Sequence, residues 1–273
     1  MYKLNKIHPV KVDDLIRVGR NADGGYVISS QQIEKTDFLL SFGINEDWSF
    51  EEAFLKKKTA VLYAFDYSVS ASIFREKSLD NFVLMLFSLM RFKIAKAKNH
   101  GGRWKNLRRR SKDFKQFFQN KKQRFFIPQF LGETENEKFT CFETVFKNLP
   151  DTLKNQSIFI KMDIEKWEYR TLPQLKPFFS KINGLVVKFH DLDIAGNTFE
   201  DIIDIFSEHF AIAHIHANNA GGLIHNTNLP MLLEITFINK VLVQNADELS
   251  DKKYPVEGLD FPNLKRSDIS LIF

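Results

Sequence analysis

Seven segments of the chain are short, apolar and closed by turn or helix signals. This is the pattern of strands buried on both faces of a parallel-type sheet. They are 37–43 (DFLLSFG), 60–66 (AVLYAFD), 124–132 (RFFIPQFLG), 157–163 (SIFIKMD), 184–191 (GLVVKFHD), 210–217 (FAIAHIHA) and 231–238 (MLLEITFI). Helix-like stretches lie between most of them. Residues 141–149 and 198–210 carry apolar side chains at spacings of three and four, and 165–179 reads as a helix broken by Pro173 and Pro177. Ser49-Phe50-Glu51-Glu52 reads as a capping box opening the helix after the first strand. Alternating strands and helices predict an α/β fold with helices on both faces of the sheet. Ahead of the first strand, residues 17–29 (RVGRNADGGYVIS) read as a small hairpin turning at Ala22-Asp23-Gly24-Gly25.

Between the second and third strands the pattern changes. Residues 79–98 are apolar and then basic, His100-Gly101-Gly102 predicts a break, and 104–123 predicts a second helix. No repeat or low-complexity linker divides the chain. The expected organisation is one domain over 1–273 with a basic helical insertion at about 79–123.

Composition sharpens this picture in three ways. Hydrophobic residues make up 44% of 273 positions and 28 are Phe, so the core is expected to be Phe-rich. The single cysteine, Cys141, excludes a disulfide framework and points to a reducing compartment. The N-terminus lacks a secretory h-region and no run approaches the roughly 18 apolar residues of a membrane span, which together predict a cytoplasmic location. The net charge of +5 conceals an asymmetry: residues 91–124 hold fourteen Lys or Arg against one acid, Asp113. With the apolar residues Phe82, Val83, Leu86, Leu89, Met90 and Phe92 beside it, the segment 79–124 suits peripheral contact with anionic membrane, on its inner face, or with an acidic polymer. Trp104, Phe114, Phe117 and Phe118 near Arg108-Arg109-Arg110 also suit RNA, but no RNA-binding motif accompanies them.

Candidate chemistry gathers at the C-terminal ends of the strands, where open α/β sheets bind ligands. The first strand runs through Gly43 into a helix start, a cofactor entrance without the G-x-G-x-x-G that a dinucleotide needs. Asp66 ends the second strand, where an acid accepts from a ribose diol or caps the next helix. Asp163 ends the fourth strand, His190 the fifth, and His216 lies near the end of the sixth. Two readings stay open for these three. A histidine, His190 or His216, acts as general base, or Asp163, His190 and His216 hold a divalent metal ion. Lys161 and Lys188 each sit two residues before such a tip, and two buried ammonium groups require acids close by.

In order, the strings RVGRNADGGYV, LLSFGINEDWSFE, AFDYS, KMDIEKWEY, VVKFHDLD, HIHANN, LPMLLEITF and GLDFPNLKRSDI resemble the FkbM-type methyltransferases, a branch of the class I S-adenosylmethionine-dependent enzymes. They cover nearly the whole chain outside the basic insertion. The resemblance implies a Rossmann-like, seven-stranded, mostly parallel sheet of order 3-2-1-4-5-7-6 with its last strand antiparallel. It implies S-adenosylmethionine over the first two strands, with Asp23, Gly24, Gly25, Tyr26, Gly43, Asn45, Glu46, Asp66 and Tyr67 as candidate contacts. It further implies methyl transfer to oxygen, often of a sugar, with Asp163 beside the reacting methyl. Three departures stand out, one being Lys188 where an acid is expected before Phe189-His190. Many class I enzymes carry an acid where this chain has Ser41, and Glu46, Asp47 and Glu52 are the acids nearest to compensate; Lys166 replaces a glycine after Asp163.

The sequence therefore leads to an O-methyltransferase acting on a carbohydrate or lipid-linked glycan in surface polysaccharide biosynthesis. His190 is the expected base, Asp163 positions the acceptor or binds metal, and His216 contacts substrate or metal. The rivals are an RNA methyltransferase using the insertion as its RNA arm, and a non-catalytic membrane- or partner-docking protein retaining the fold.

Overall fold

The computed structural model describes residues 2–119, 122–150 and 153–273. A hairpin of β1 (Leu15–Val18) and β2 (Tyr26–Ser29) precedes α1 (Ser30–Lys35), β3 (Phe38–Phe42), α2 (Ser49–Lys57) and β4 (Val61–Phe65). Two long helices follow, α3 (Ala71–Met90) and α4 (Ile94–Phe118), then β5 (Arg124–Ile127), β6 (Phe130–Leu131), β7 (Phe139–Thr140) and α5 (Phe142–Lys147). The second half runs through β8 (Ile158–Met162), α6 (Glu168–Thr171), a 3-10 stretch over Leu172–Lys181, β9 (Ile182–Phe189), α7 (Leu192–Ser207), β10 (Phe210–Ala217) and β11 (Leu233–Asn239).

Seven of these strands form the central sheet, in the order β5-β4-β3-β8-β9-β11-β10. Counted along the chain within the sheet, that is 3-2-1-4-5-7-6. Strand β11 runs antiparallel to both neighbours, and the remaining pairings are parallel. The protein therefore has the Rossmann-like α/β fold expected from its sequence. Strands β8 to β11 are buried along their whole length, which is why they read as nearly continuous apolar runs.

Alternation along the strands divides the core between two faces. Leu40, Phe42, Ile160, Met162, Leu185 and Val187 pack with α5, the 3-10 stretch and α7. Leu39, Phe159 and Val186 pack on the other side with the hairpin and α2, around Phe50, Phe54 and Trp48. Ser41, Lys161 and Lys188 share this second face by the same alternation, so their polar groups meet under the hairpin.

Several local expectations are corrected. The Ser49 capping box does not form: Trp48 occupies the N-cap position of α2 without a side-chain hydrogen bond, and Ser49 Oγ has no partner. A capping box forms instead at Ser29, which caps α1 while its N–H donates to Gln32 Oε1 at 3.0 Å. Gly101 and Gly102 lie inside α4, and the break falls at Arg91–Lys93. There the N–H of Lys93 donates to Ser88 O at 2.9 Å and that of Phe92 to Leu89 O at 2.9 Å. This helix-ending motif satisfies the orphan carbonyls and needs no glycine-rich linker. The expected strand 124–132 ends at Ile127, before Pro128, and Phe130–Leu131 pairs instead with Phe139–Thr140.

Candidate functional site

The tips of β3 and β8 approach so closely that a side chain on Gly43 would overlap the backbone carbonyl of Asp163. Gly43 also sits at φ +75°, where a side chain is strained. Lys161 Nζ donates to Gly43 O at 2.7 Å, which answers half of the lysine question. Asp66 follows β4 and is buried. One carboxylate oxygen accepts from Asn45 N at 2.8 Å; the other accepts from Ser68 N at 2.7 Å and Ser68 Oγ at 2.6 Å. Asp66 therefore pins the loops after β3 and β4 and keeps capacity for one more donor. Ser70, not Asp66, caps α3.

These tips floor a cavity of about 390 Å³, within the roughly 300–1,000 Å³ typical of small-molecule sites. One wall is aromatic, built from Phe130, Phe139 and Trp167, and the floor carries Asp66, Asn45 and Asp163. Phe139 bridges the other two rings, at 5.7 Å from Phe130 and 5.4 Å from Trp167. A smaller cleft of about 190 Å³ shares Gly43, Asn45 and Asp163 and runs under the hairpin turn, past Asp23, Gly24 and Tyr26. At this end lies Glu51. Ser41 Oγ hydrogen-bonds to its Oε1, while Oε2 is buried without a partner. Burial pushes the Glu51 carboxyl above its usual range, against the pull of Lys161 and Ser41.

The other acids weighed for this position are committed elsewhere. Glu46 pairs with Arg103 at 2.6 Å and with Arg110 at 3.7 Å, both on α4. Glu52 pairs with Lys56 on the surface, and Asp47 with Arg20. Gly25 and Tyr67 line neither cleft: a side chain on Gly25 would overlap the Arg20 carbonyl, and Tyr67 rests on Phe130.

Beyond Asp163 the polar groups form a chain. Tyr26 Oη donates to Asp163 Oδ2 at 3.3 Å, and Lys188 Nζ reaches the same oxygen at 3.4 Å and Asp23 Oδ1 at 3.1 Å. Burial opposes the Lys188 charge, but Asp163, Asp23 and Glu234 outweigh it and raise its pKa, so this lysine stays protonated. Burial and the Asp163 charge raise the Tyr26 pKa, so its phenol remains a donor. His190 Nε2 lies 3.5 Å from Asp163 Oδ1, and its Nδ1 lies 2.7 Å from Glu168 Oε1. Burial works against a charged imidazole here, yet Glu168 and then Asp163 leave the His190 pKa raised. His190 lines neither cleft and meets the site through Asp163, while a carboxylate on its other ring nitrogen orients the ring as a base requires.

His216 does not join this group. Its ring is held between Asp268, at 3.0 Å from Nε2, and Glu234, at 3.3 Å from Nδ1. Despite burial, those acids push its pKa up to about 10. A protonated imidazole with both nitrogens committed is neither a base nor a metal ligand at neutral pH. It touches the site only through Glu234, Asn218 and Asn263, the two amides bridging Glu234 to Asp23. Among the described residues, the cluster whose ligand atoms fall within 4.8 Å of one another is Asp163, Glu165 and His190, with Glu165 in place of His216.

Sequence reasoning missed Glu51, Glu165, Glu168 and the partners of Lys188. Glu234 carried a signal, as the lone acid inside an apolar strand, which demands a buried partner. Glu51 carried none, since its role depends on how α2 meets β3.

No protein-family model matches the chain, and no curated protein matches it in sequence. Among solved structures it is similar to the fibrillarin/Nop5p complex, at 11% identity over 75% of this chain and 73% of that one, with a TM-score of 0.36. It is similar to precorrin-6y C5,15-methyltransferase from Geobacter metallireducens GS-15, at 8% identity over 81% and 94% of the two chains, TM-score 0.35. It is also similar to the plantazolicin methyltransferase BpumL in complex with SAH, at 12% identity over 74% and 75%, TM-score 0.33. Likenesses this distant establish nothing about chemistry, and the fold assignment rests on the strand order of the sheet itself.

Proposed function

We propose that this protein is an FkbM-type, S-adenosylmethionine-dependent O-methyltransferase acting on a sugar hydroxyl of a surface polysaccharide or lipid-linked glycan. The observation that carries the cofactor is the buried, half-unpartnered carboxylate of Glu51 at the polar end of a trough whose other end is aromatic. A planar base fits between Phe130, Phe139 and Trp167, a ribose diol fits the free acceptor capacity of Asp66, and an ammonium fits Glu51 Oε2. When bound, S-adenosylmethionine supplies a methyl group made electrophilic by its sulfonium.

The chain's own residues supply the rest. His190 Nε2 takes the proton of the acceptor hydroxyl while Glu168 holds the Nδ1–H. Asp163, fixed by Tyr26 and Lys188, orients the acceptor beside that nitrogen. The acceptor class and the FkbM family rest on the order of the sequence motifs.

A second reading has Asp163, Glu165 and His190 hold a divalent cation that acidifies the hydroxyl, as their mutual proximity permits. Lys188 already provides Asp163 with a positive partner, which favours the base. Calorimetry with S-adenosylmethionine, followed by methyl-transfer assays on glycan precursors with and without chelator, separates the possibilities. Folded protein that binds no S-adenosylmethionine in either condition sinks the proposal, and turnover abolished by chelator selects the cation.

A further inference from the structure

The helical insertion ends in a tip that the proposed chemistry does not use. Helices α3 and α4 pack antiparallel, with Ser78 Oγ donating to Trp104 O at 3.2 Å and Ser111 Oγ to Ala71 O at 2.8 Å. The base of this pair is anchored: Phe74, Leu107, Phe114, Phe117 and Phe118 are buried with Trp48. Burial of those phenylalanines removes the stacking platform an RNA arm would need. From Ser78 to Met90, helix α3 extends roughly 18 Å further at 1.5 Å per residue. Over that distance the buried residues are small, Ser88 on α3 and Ala97 on α4, so the two helices turn their large side chains outward.

Those large side chains are apolar. Val83, Leu86, Leu89, Met90, Phe92 and Ile94 are all exposed, Met90 by 70% and Phe92 by 89%. Large apolar side chains exposed together at one helical tip mark an interaction site. Phe92 sits at φ +55° in the turn between the helices, a position that glycine usually fills. A bulky side chain there is strained, and strain is retained where it serves a function. Arg91, Lys93, Lys96 and Lys98 surround the tip, all exposed, and no Asp or Glu occurs between Asp80 and Asp113. The guanidinium of Arg91 lies over the Phe87 ring at 4.3 Å.

We infer that this tip docks on an anionic lipid surface, inserting Met90 and Phe92 while the surrounding lysines and Arg91 meet the headgroups. Charge decides the occupant. A bilayer of anionic lipid offers acyl chains to the tip and negative headgroups to its cations. Self-association of two tips would set cation against cation with no acid in either tip to answer it. Phosphate recognition alone leaves the apolar tip unexplained. No helix among the described residues is long and apolar enough to cross a membrane, so the contact is interfacial.

The test is sedimentation of the full chain with phosphatidylcholine vesicles and with mixed phosphatidylcholine–phosphatidylglycerol vesicles. Association with the mixed vesicles, weakened by salt and absent for pure phosphatidylcholine, is expected. Phe92→Gly relieves the strained turn, so the variant should melt at or above the wild-type temperature, yet its vesicle affinity should fall by roughly tenfold or more. Failure of wild type to bind anionic vesicles at low salt overturns the inference. So does wild-type affinity in Phe92→Gly. A lipid-free dimer in light scattering that Phe92→Gly dissolves would assign the tip to a second copy instead. RNA binding that Phe92→Gly leaves intact, without vesicle binding, would assign the basic segment to nucleic acid.

Discussion

Glu51 is a carboxylate kept in a place that costs stability. Burial raises its pKa, Ser41 satisfies one oxygen and the other is left bare. An ammonium arriving at that oxygen makes a charge-assisted bond worth about 1.5–3 kcal/mol. Glu51→Gln is therefore expected to weaken S-adenosylmethionine about ten- to a hundredfold in calorimetry while leaving the melting temperature unchanged or higher. A large loss of stability with unchanged affinity would make Glu51 structural. His190 gives a pH test. Its raised pKa means that the imidazole is neutral, and competent as a base, only above a pH higher than the usual 6.5. Turnover should therefore rise through an acid limb centred above 6.5. Glu168→Gln should move that limb to lower pH and reduce maximal turnover, because the same carboxylate raises the pKa and orients the ring. A limb that stays in place removes Glu168 from this role. Asp163, Asp66 and His190 were legible as strand-end residues, since a strand's length fixes its last residue. Glu51 and Glu168 were not, because each acts across a contact between a helix and a neighbouring strand.

Helix α4 holds two glycines in its interior, and local sequence rules misplace the break there. Gly102 has open space where a side chain would stand, whereas one on Gly101 would meet Met85 Sδ at 3.0 Å. Gly102→Ala should stabilise the helix by roughly 0.5–1 kcal/mol, read as slower amide exchange along α4. Gly101→Ala should gain less, since the Met85 thioether must shift. A net loss of protection in Gly102→Ala would mean that flexibility at that point is required. The true break needs no glycine at all, because two backbone hydrogen bonds at Ser88 and Leu89 end α3 with Phe92 in the left-handed region. The helix α2 start shows the same limit: Ser49 and Glu52 have the spacing of a capping box, but Glu52 turns to Lys56 and Ser49 N donates to Asp47 Oδ1 at 3.1 Å.

Across the whole molecule, charged groups under the hairpin form two alternating runs, joined by the Asn218 and Asn263 amides. One run is Asp268, His216 and Glu234; the other is Asp23, Lys188, Asp163, His190 and Glu168. His216 supports the first run through its protonated form, which bonds both acids. His216 is raised to about 10 in the fold against about 6.5 unfolded. Its contribution is therefore complete below pH ~6.5 and is lost as pH rises towards 10. His190 adds a loss of the same sign over the lower part of that window. Denaturant titrations at pH 6.5 and pH 10 should differ by a few kcal/mol, with the protein weaker at pH 10. Equal stability at the two values would show that His216 is not held protonated.

The sequence by itself determined the sheet. Seven buried apolar runs separated by helices fix an α/β fold through the period of their side chains, and the order of the motifs pointed to the topology that the strands adopt. It also determined that cations and bulky apolar residues share one helical insertion. Tertiary structure decided which charges meet. His190 and His216 look alike as strand-end histidines, yet β11 lies between their strands and brings Glu234 to one, while α6 brings Glu168 to the other. It likewise decided that α2 brings the Glu51 carboxylate against Ser41 on the first strand. The physical reason is range: side-chain periodicity is local to a few residues, whereas the pKa and partner of a buried group depend on whichever distant segment packs against it.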